Sequence, residues 1–251
     1  VTCGHADRCD YIVETKSCGV AFLDYDNDGW LDILVLTGSR FGDPAPSASN
    51  RLYKNNRGGT FTDVTREAGL FRTGYFYGVT VGDYNNDGKA DLAVYRAGAN
   101  SGDGSTWFFR TTPNGPTNYV PWGQNGDFPG PGDYDGDGKN DFVVQRNNGG
   151  GQARFWLLQT TAGVNTVVFG TPTDVIVPGD YDGDGKTDIA TVRGSAGSYN
   201  WYILPSSTGV ISGSPTYVFG SSATDFIAQG DYDGDGKTDA AIWRPNADPT
   251  L

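Results

Sequence analysis

The sequence predicts an all-β fold, a β-propeller of about five blades, and three observations carry the prediction. A nine-residue stretch, Asp180-Tyr-Asp-Gly-Asp-Gly-Lys-Thr-Asp188, recurs unchanged at 231–239 and in variant form at 133–141, 83–91 and 24–32. The first residues of these stretches are separated by 59, 50, 47 and 51 residues, and each interval has room for four short strands, the period of a propeller blade. Gly is frequent, aromatic and β-branched residues abound, and Glu14 and Glu67 are the only glutamates, so long surface helices are not expected.

Taken in order, residues 1–17 precede the first repeat, and Asp10–Lys16 reads as one strand. The blades then run over about 18–70, 71–123, 124–170, 171–220 and 221–251. In the first blade an apolar run, 18–23, enters the repeated loop and another, 31–36, leaves it; 50–54 and 60–65 form two further strands across an Asn-Asn-Arg-Gly-Gly turn. The same grammar returns with Gly78–Asp83, Asp91–Arg96, Thr106–Arg110 and Asn118–Trp122, then with 128–133, 141–146, 153–158 and 166–169. The fourth blade has 174–180, 188–193, 200–204 and 216–219, and the fifth has only 225–231 and 239–244. A blade cannot bury both faces alone, so neighbours must stack. Three completions of the fifth blade are open: residues 10–16 close it, a second subunit donates a strand, or the product is longer.

Each repeated loop places acidic or amide side chains at positions 1, 3, 5 and 9 and Gly at position 6, where a positive φ folds the chain back. Oxygen-only donors at this density suit a hard cation of Ca²⁺ size better than zinc or copper. The five loops hold nineteen of the thirty acidic residues, and five divalent ions would bring the net charge from −12 to about −2. The acidity is therefore local, and with no basic stripe nucleic acid is not an expected partner. No run has the length of a transmembrane helix. The chain begins at Val1 and contains no Met, which suggests a processed, secreted or cell-surface product whose signal peptide has been removed. Cys3, Cys9 and Cys18 are consistent with one extracellular disulfide and a third thiol; their spacing around His5 fits no zinc pattern.

The blades resemble FG-GAP/VCBS repeats, the calcium-loop blades of integrin-α-like propellers. Phe169-Gly170 and Phe219-Gly220 ahead of the next loop carry the likeness, with Trp122-Gly123 as a variant. The first unit, GVAFLDYDNDGWLDILVLTG through NRLYKNNRGGTFTDVTREAGL, resembles the ASPIC/UnbV, cartilage-acidic-protein-like form of the repeat. The resemblance implies about five Ca²⁺ ions and assigns the ligands. In the fourth loop these are the side chains of Asp180, Asp182 and Asp184, the carbonyl of Lys186, and Asp188. The same roles fall to Asp24, Asp26, Asp28, Trp30 and Asp32, to Asp133, Asp135, Asp137, Lys139 and Asp141, and to Asp231, Asp233, Asp235, Lys237 and Asp239. In the second loop they fall to Asp83, Asn85, Asp87, Lys89 and Asp91, and the lost charge at Asn85 predicts the weakest site. An EF-hand is excluded, because Val35, Val94, Val144, Thr191 and Ile242 stand where it needs Glu.

Arg96, Arg146, Arg193 and Arg244 each follow the last loop Asp by five residues, and Trp107, Trp156 and Trp201 lie on the next strand. Two readings compete. One is an Arg packed on a ring at each blade junction; the other is a sugar pocket per blade lined by Arg96, Trp107, Arg146, Trp156, Arg193 and Trp201. His5 is the only His, and no P-loop or dinucleotide fingerprint occurs, so the expectation is not an enzyme. The functional expectation is a calcium-stabilised structural or adhesion module, binding other proteins or copies of itself, even as a filament. The alternative is a lectin, with glycans as ligands.

Overall fold

A computed structural model describes residues 20–23, 25, 26, 28, 30–35, 50–68, 71, 79–89, 91–112 and 115–244. The three cysteines, the strand expected at 10–16 and the ligand Asp24 lie outside them. Every regular element among the described residues is a strand. The chain divides into two units, Val1–Gly126 and Asp127–Leu251.

The first unit contains two four-stranded sheets. One is β1 (Val20–Leu23), β2 (Asp32–Val35), β3 (Arg51–Asn55) and β4 (Phe61–Asp63); the other is β5 (Val79–Gly82), β6 (Asp91–Arg96), β7 (Gly104–Arg110) and β8 (Asn118–Gln124). Each is an antiparallel meander in chain order, so the acidic loop joins the first two strands of its sheet. Alternation along β6 buries Asp91, Ala93 and Tyr95 on one face, as a period of two requires. Leu34, Leu52 and Ala68 form a core against which Tyr25, Val64 and Leu92 pack.

The second unit repeats the plan. β9 (Phe128–Pro129), β10 (Phe142–Asn147), β11 (Ala153–Gln159) and β12 (Gly163–Val168) form one sheet. β13 (Val175–Ile176), β14 (Ile189–Ser195), β15 (Ser198–Leu204) and β16 (Tyr217–Ser221) form the next, and β17 (Phe226–Ile227) pairs with β18 (Ile242–Trp243). The second strands are buried at every position over Phe142–Gln145 and Ile189–Val192, and β14 meets the third sheet through Ile189 and the fifth through Ala190 and Val192. One core joins Tyr134, Val143, Phe155, Leu157 and Phe169 to Ile189 and Leu204 of the following sheet. The next joins Val177, Ala190, Val192, Trp201 and Ile203 to Ile227, Ala240 and Ile242.

Successive acidic loops of this unit touch through backbone. Thr187 N–H donates to the Asp133 carbonyl at 2.6 Å, and Thr238 N–H to the Asp180 carbonyl at 2.5 Å. The approach requires Gly immediately before the first loop Asp. A Cβ on Gly132 would lie 2.6 Å from the Thr187 side chain, and one on Gly179 would lie 2.5 Å from Thr238.

Candidate metal centre

The loop is built from its own backbone upward. Its first Asp accepts amide hydrogen bonds from positions 4 and 6: Gly136 and Gly138 donate to Asp133 at 2.7 and 2.8 Å, and Gly183 and Gly185 to Asp180 at 2.6 and 2.8 Å. These bonds need a left-handed turn, and Gly138, Gly185 and Gly236 at position 6 have φ of 84°, 84° and 85°. The second loop has Gly88 at position 6 with φ of 77°, and Asn86 takes φ 60° at position 4, where Gly136, Gly183 and Gly234 stand in the later loops. The last Asp closes the loop. Asp141, Asp188 and Asp239 each accept the N–H of the position-2 Tyr at 2.9 Å. Their own N–H groups bridge back to Gly132, Gly179 and Gly230.

The turn between the third and fourth strands then folds over the loop. Thr160 N–H donates to Asp141 at 2.8 Å, and Ser206 N–H to Asp188 at 2.6 Å. The hydroxyls of Thr160 and Thr161 both bond Asp137 at 2.6 Å, and those of Ser206 and Ser207 bond Asp184 and Asp182 at 2.7 and 2.5 Å. In the first sheet Asn55 N–H meets Asp32 at 2.7 Å in the same way.

Carboxylate oxygens of Asp133, Asp135 and Asp141 thereby lie within 4.8 Å of one another, as do those of Asp180, Asp182 and Asp188, and of Asp231, Asp233 and Asp239. Positions 1, 3 and 9 converge. Position 5 turns aside to the hydroxyls and to the N–H of position 7, with Lys139, Lys186 and Lys237 donating to Asp137, Asp184 and Asp235 at 2.8–2.9 Å. Lys89 and Trp30 do the same in the second and first loops.

The donor set fits a hard metal ion. Asp135 Oδ1 is buried and meets no hydrogen-bond donor, and Asp26 Oδ1, at the same position of the first loop, is likewise buried without one. Burial pushes the Asp141 carboxyl up to about 6, with Asp135 and Asp133 adding to the rise, and burial raises Asp91 to about 6 and Asp188 upward as well. Oxygens crowded this way favour a shared cation.

Arg96, Arg146 and Arg193 lie over aromatic rings, as one of the two sequence readings expects, and Arg146, Arg193 and Arg244 also hold an acid that neither reading named. Arg146 and Arg193 each grip a buried Asp with two parallel bonds, Asp127 at 2.8 and 2.7 Å and Asp174 at 2.7 and 2.8 Å. Arg244 grips Asp225 at 2.6 and 2.9 Å. The sequence reading missed these acids, although each stands six residues before a loop's first Asp. The aromatic assignment needs correction too. Trp107 and Trp201 are fully buried and offer no face to a ligand. The rings under Arg96, Arg146 and Arg193 are Phe108, Trp156 and Tyr202, at 4.4, 5.0 and 4.9 Å. Strand register decides this: Phe108, Trp156 and Tyr202 pair with Val94, Val144 and Thr191, each two residues before its Arg, whereas Trp107 and Trp201 pair with the residue one before.

A cavity of about 320 Å³ opens between the third and fourth sheets, lined by Gln152, Phe169 and Gly170 on one side and by Arg193, Tyr202 and Ile211 on the other.

The family model for the FG-GAP-like repeat matches residues 24–94, 133–191 and 180–242. The chain belongs to this family. Three FG-GAP-like matches thus cover most of the chain and begin at or end beyond the acidic loops described above. Among curated proteins none matches it. Among solved structures, an Agrocybe aegerita lectin studied for its recognition of non-reducing terminal N-acetylglucosamine is similar in fold. Its TM-score is 0.52 at 17% identity, over 90% of this chain and 60% of that one. The FG-GAP-like chain therefore spans less than two thirds of that structure, and the likeness shows the fold: sheets of the β-propeller class.

Proposed function

We propose that this FG-GAP-like chain is a secreted or cell-surface, non-catalytic binding module whose blades are fastened by Ca²⁺, and that it contacts other proteins or further copies of itself. The observation that carries the reading is the repeated convergence of three carboxylates at positions 1, 3 and 9, clamped in the third and fourth sheets by the turn after the third strand. Extracellular calcium modules bind with Kd on the order of 10⁻⁴–10⁻³ M, which suits a permanently loaded ion outside the cell. A metal held by protein oxygens on this scale supplies cross-linking of the loop; the chain's own residues orient the carboxylates and exclude water from Asp141 and Asp188. The 25 ligand positions assigned from the sequence remain the expected sites. Calorimetric titration with calcium, with light scattering on the same samples, tests the reading. Absence of heat and of any calcium-dependent stabilisation would overturn it; calcium-dependent growth in mass would identify self-assembly.

A second reading, carbohydrate binding, is favoured by the cavity between the third and fourth sheets. Arg193 and Tyr202 line it, and an Arg–aromatic pair beside an apolar wall suits a sugar with a polar and an apolar face. The similar lectin adds fold-level support only. A glycan array with wild type and Tyr202→Ala separates the readings: binding lost in the variant supports the lectin, and no binding by wild type removes it.

A further inference from the structure

The first acidic loop differs from the others in what the hairpin above it contributes. In the third and fourth sheets that turn brings hydroxyls to the carboxylates, from Thr160, Thr161, Ser206 and Ser207. The amide of Asn55 marks the same place in the first sheet, since it binds Asp32 as Thr160 binds Asp141 and Ser206 binds Asp188. Here the residue before the amide is Lys54, where the other sheets carry the neutral Gln159 and Pro205. Lys54 Nζ contacts Asp26 Oδ2 and lies 3.6 Å from Asp28 Oδ2. From the far side of the turn Arg57 Nη2 lies 3.2 Å from Asp28 Oδ2 and 3.0 Å from the Asp28 carbonyl. Arg57 is fixed in that place by a left-handed backbone, φ 64°, and by its N–H bond to Asn55 Oδ1 at 2.9 Å.

We infer that Lys54 and Arg57 are resident counter-charges of the first loop, and that this loop is the last of the five to take a divalent cation. The inference rests on the reading of the loops as cation sites. It revises the sequence-based ranking, which made the second loop weakest because Asn85 removes one ligand charge. The second loop loses one negative charge and has Lys89 at position 7, whose charge reaches Asp91 only through space, whereas the first gains two positive charges in direct ion pairs within 4 Å of its ligands. A doubly charged ion feels each of them twice as strongly as a single charge does. The loop retains capacity, because Asp26 Oδ1 has no donor of its own. The consequence is graded affinity: at low calcium the first sheet is held by its internal ion pairs while the later loops are already loaded.

The first loop carries its own reporter. Trp30 stands at position 7, where the other four loops have Lys, and is half exposed at the loop surface. Terbium, a calcium-like trivalent ion, luminesces when a nearby indole is excited, so the difference between wild type and Trp30→Phe isolates the first loop. Equilibrium dialysis on the same samples counts ions in the rest of the chain. In wild type the Trp30-dependent signal is expected to saturate at about tenfold more terbium than fills the other loops. In Lys54→Gln/Arg57→Gln, and in part in Lys54→Gln alone, it should move about tenfold toward lower concentration. A Trp30-dependent signal that rises with the first ions bound to wild type overturns the inference, as does a double variant whose curve does not move. Ions bound nowhere would overturn the calcium reading together with this one, so the two failures are told apart by dialysis.

Discussion

Asp174→Asn should destabilise the second unit more than the matching change at Asp225. The carboxylate is buried and accepts four hydrogen bonds: two from Arg193 at 2.7 and 2.8 Å, one from Thr171 N–H at 2.8 Å and one from the Thr171 hydroxyl at 2.5 Å. The Arg193 pair and the Thr171 contacts hold its carboxyl below the usual carboxylate range although burial acts the other way. The amide keeps one accepting oxygen and turns an N–H₂ toward a guanidinium that can only donate, so about two bonds are lost and one becomes repulsive. Hydrogen bonds to charged groups contribute about 1.5–3 kcal/mol each, and breaking a buried pair costs about 3–5 kcal/mol. Because the Arg193 side chain is 35% exposed and can rehydrate, the expected loss is reduced to about 2–4 kcal/mol. Urea unfolding in saturating calcium, followed by tryptophan fluorescence, measures it. Asp225→Asn serves as the internal comparison: its partner Arg244 is 61% exposed, so the loss there should be smaller. A midpoint unchanged in Asp174→Asn, or a larger shift in Asp225→Asn, would refute the argument that burial of the pair sets its worth.

Three further outcomes are expected. Gly132→Ala should cost about 1–3 kcal/mol, because its Cβ meets the Thr187 side chain at 2.6 Å, and Thr187→Gly in the same chain should restore most of that loss in a thermal melt. Chelation with EGTA should lower the thermal midpoint, since a loop at ten times its Kd in calcium is stabilised by about 1.4 kcal/mol. The size of that drop should grow between pH 5 and pH 7. Asp141 and Asp91 have folded-state pKa values of about 6, above the unfolded value of 3.8, so the cation-free fold holds extra protons and loses stability as pH rises through 6. Melts of EGTA-treated protein at pH 5, 6 and 7 check the sign, and a higher midpoint at pH 7 than at pH 5 would contradict it.

The sequence by itself determined the repeat, the strand grammar and the acidic turn. A DxDxDG stretch bends most readily at its position-6 glycine, and the carboxylates it exposes to one side are a property of the local chain; φ of 84–85° at Gly138, Gly185 and Gly236 follows from that. The paired strands around each loop were legible for the same reason, since alternation and turn residues are local signals. Side-chain partners across strands were not. Whether Trp107 or Phe108 faces Arg96 depends on a register of one residue between β6 and β7, and a shift of one exchanges the buried face for the exposed one. The Asp174–Arg193 grip joins residues 19 apart and needed the sheet to bring them together, although the regular placement of Asp127, Asp174 and Asp225 was a signal available to be read. Lys54 and Arg57 show the limit most clearly. In the sequence they are two basic residues of a hairpin, 28 and 29 residues from the acids they neutralise. Only the folding of that hairpin over the first loop converts them into its counter-charges, because electrostatic energy depends on distance in space and the chain order carries no such distance.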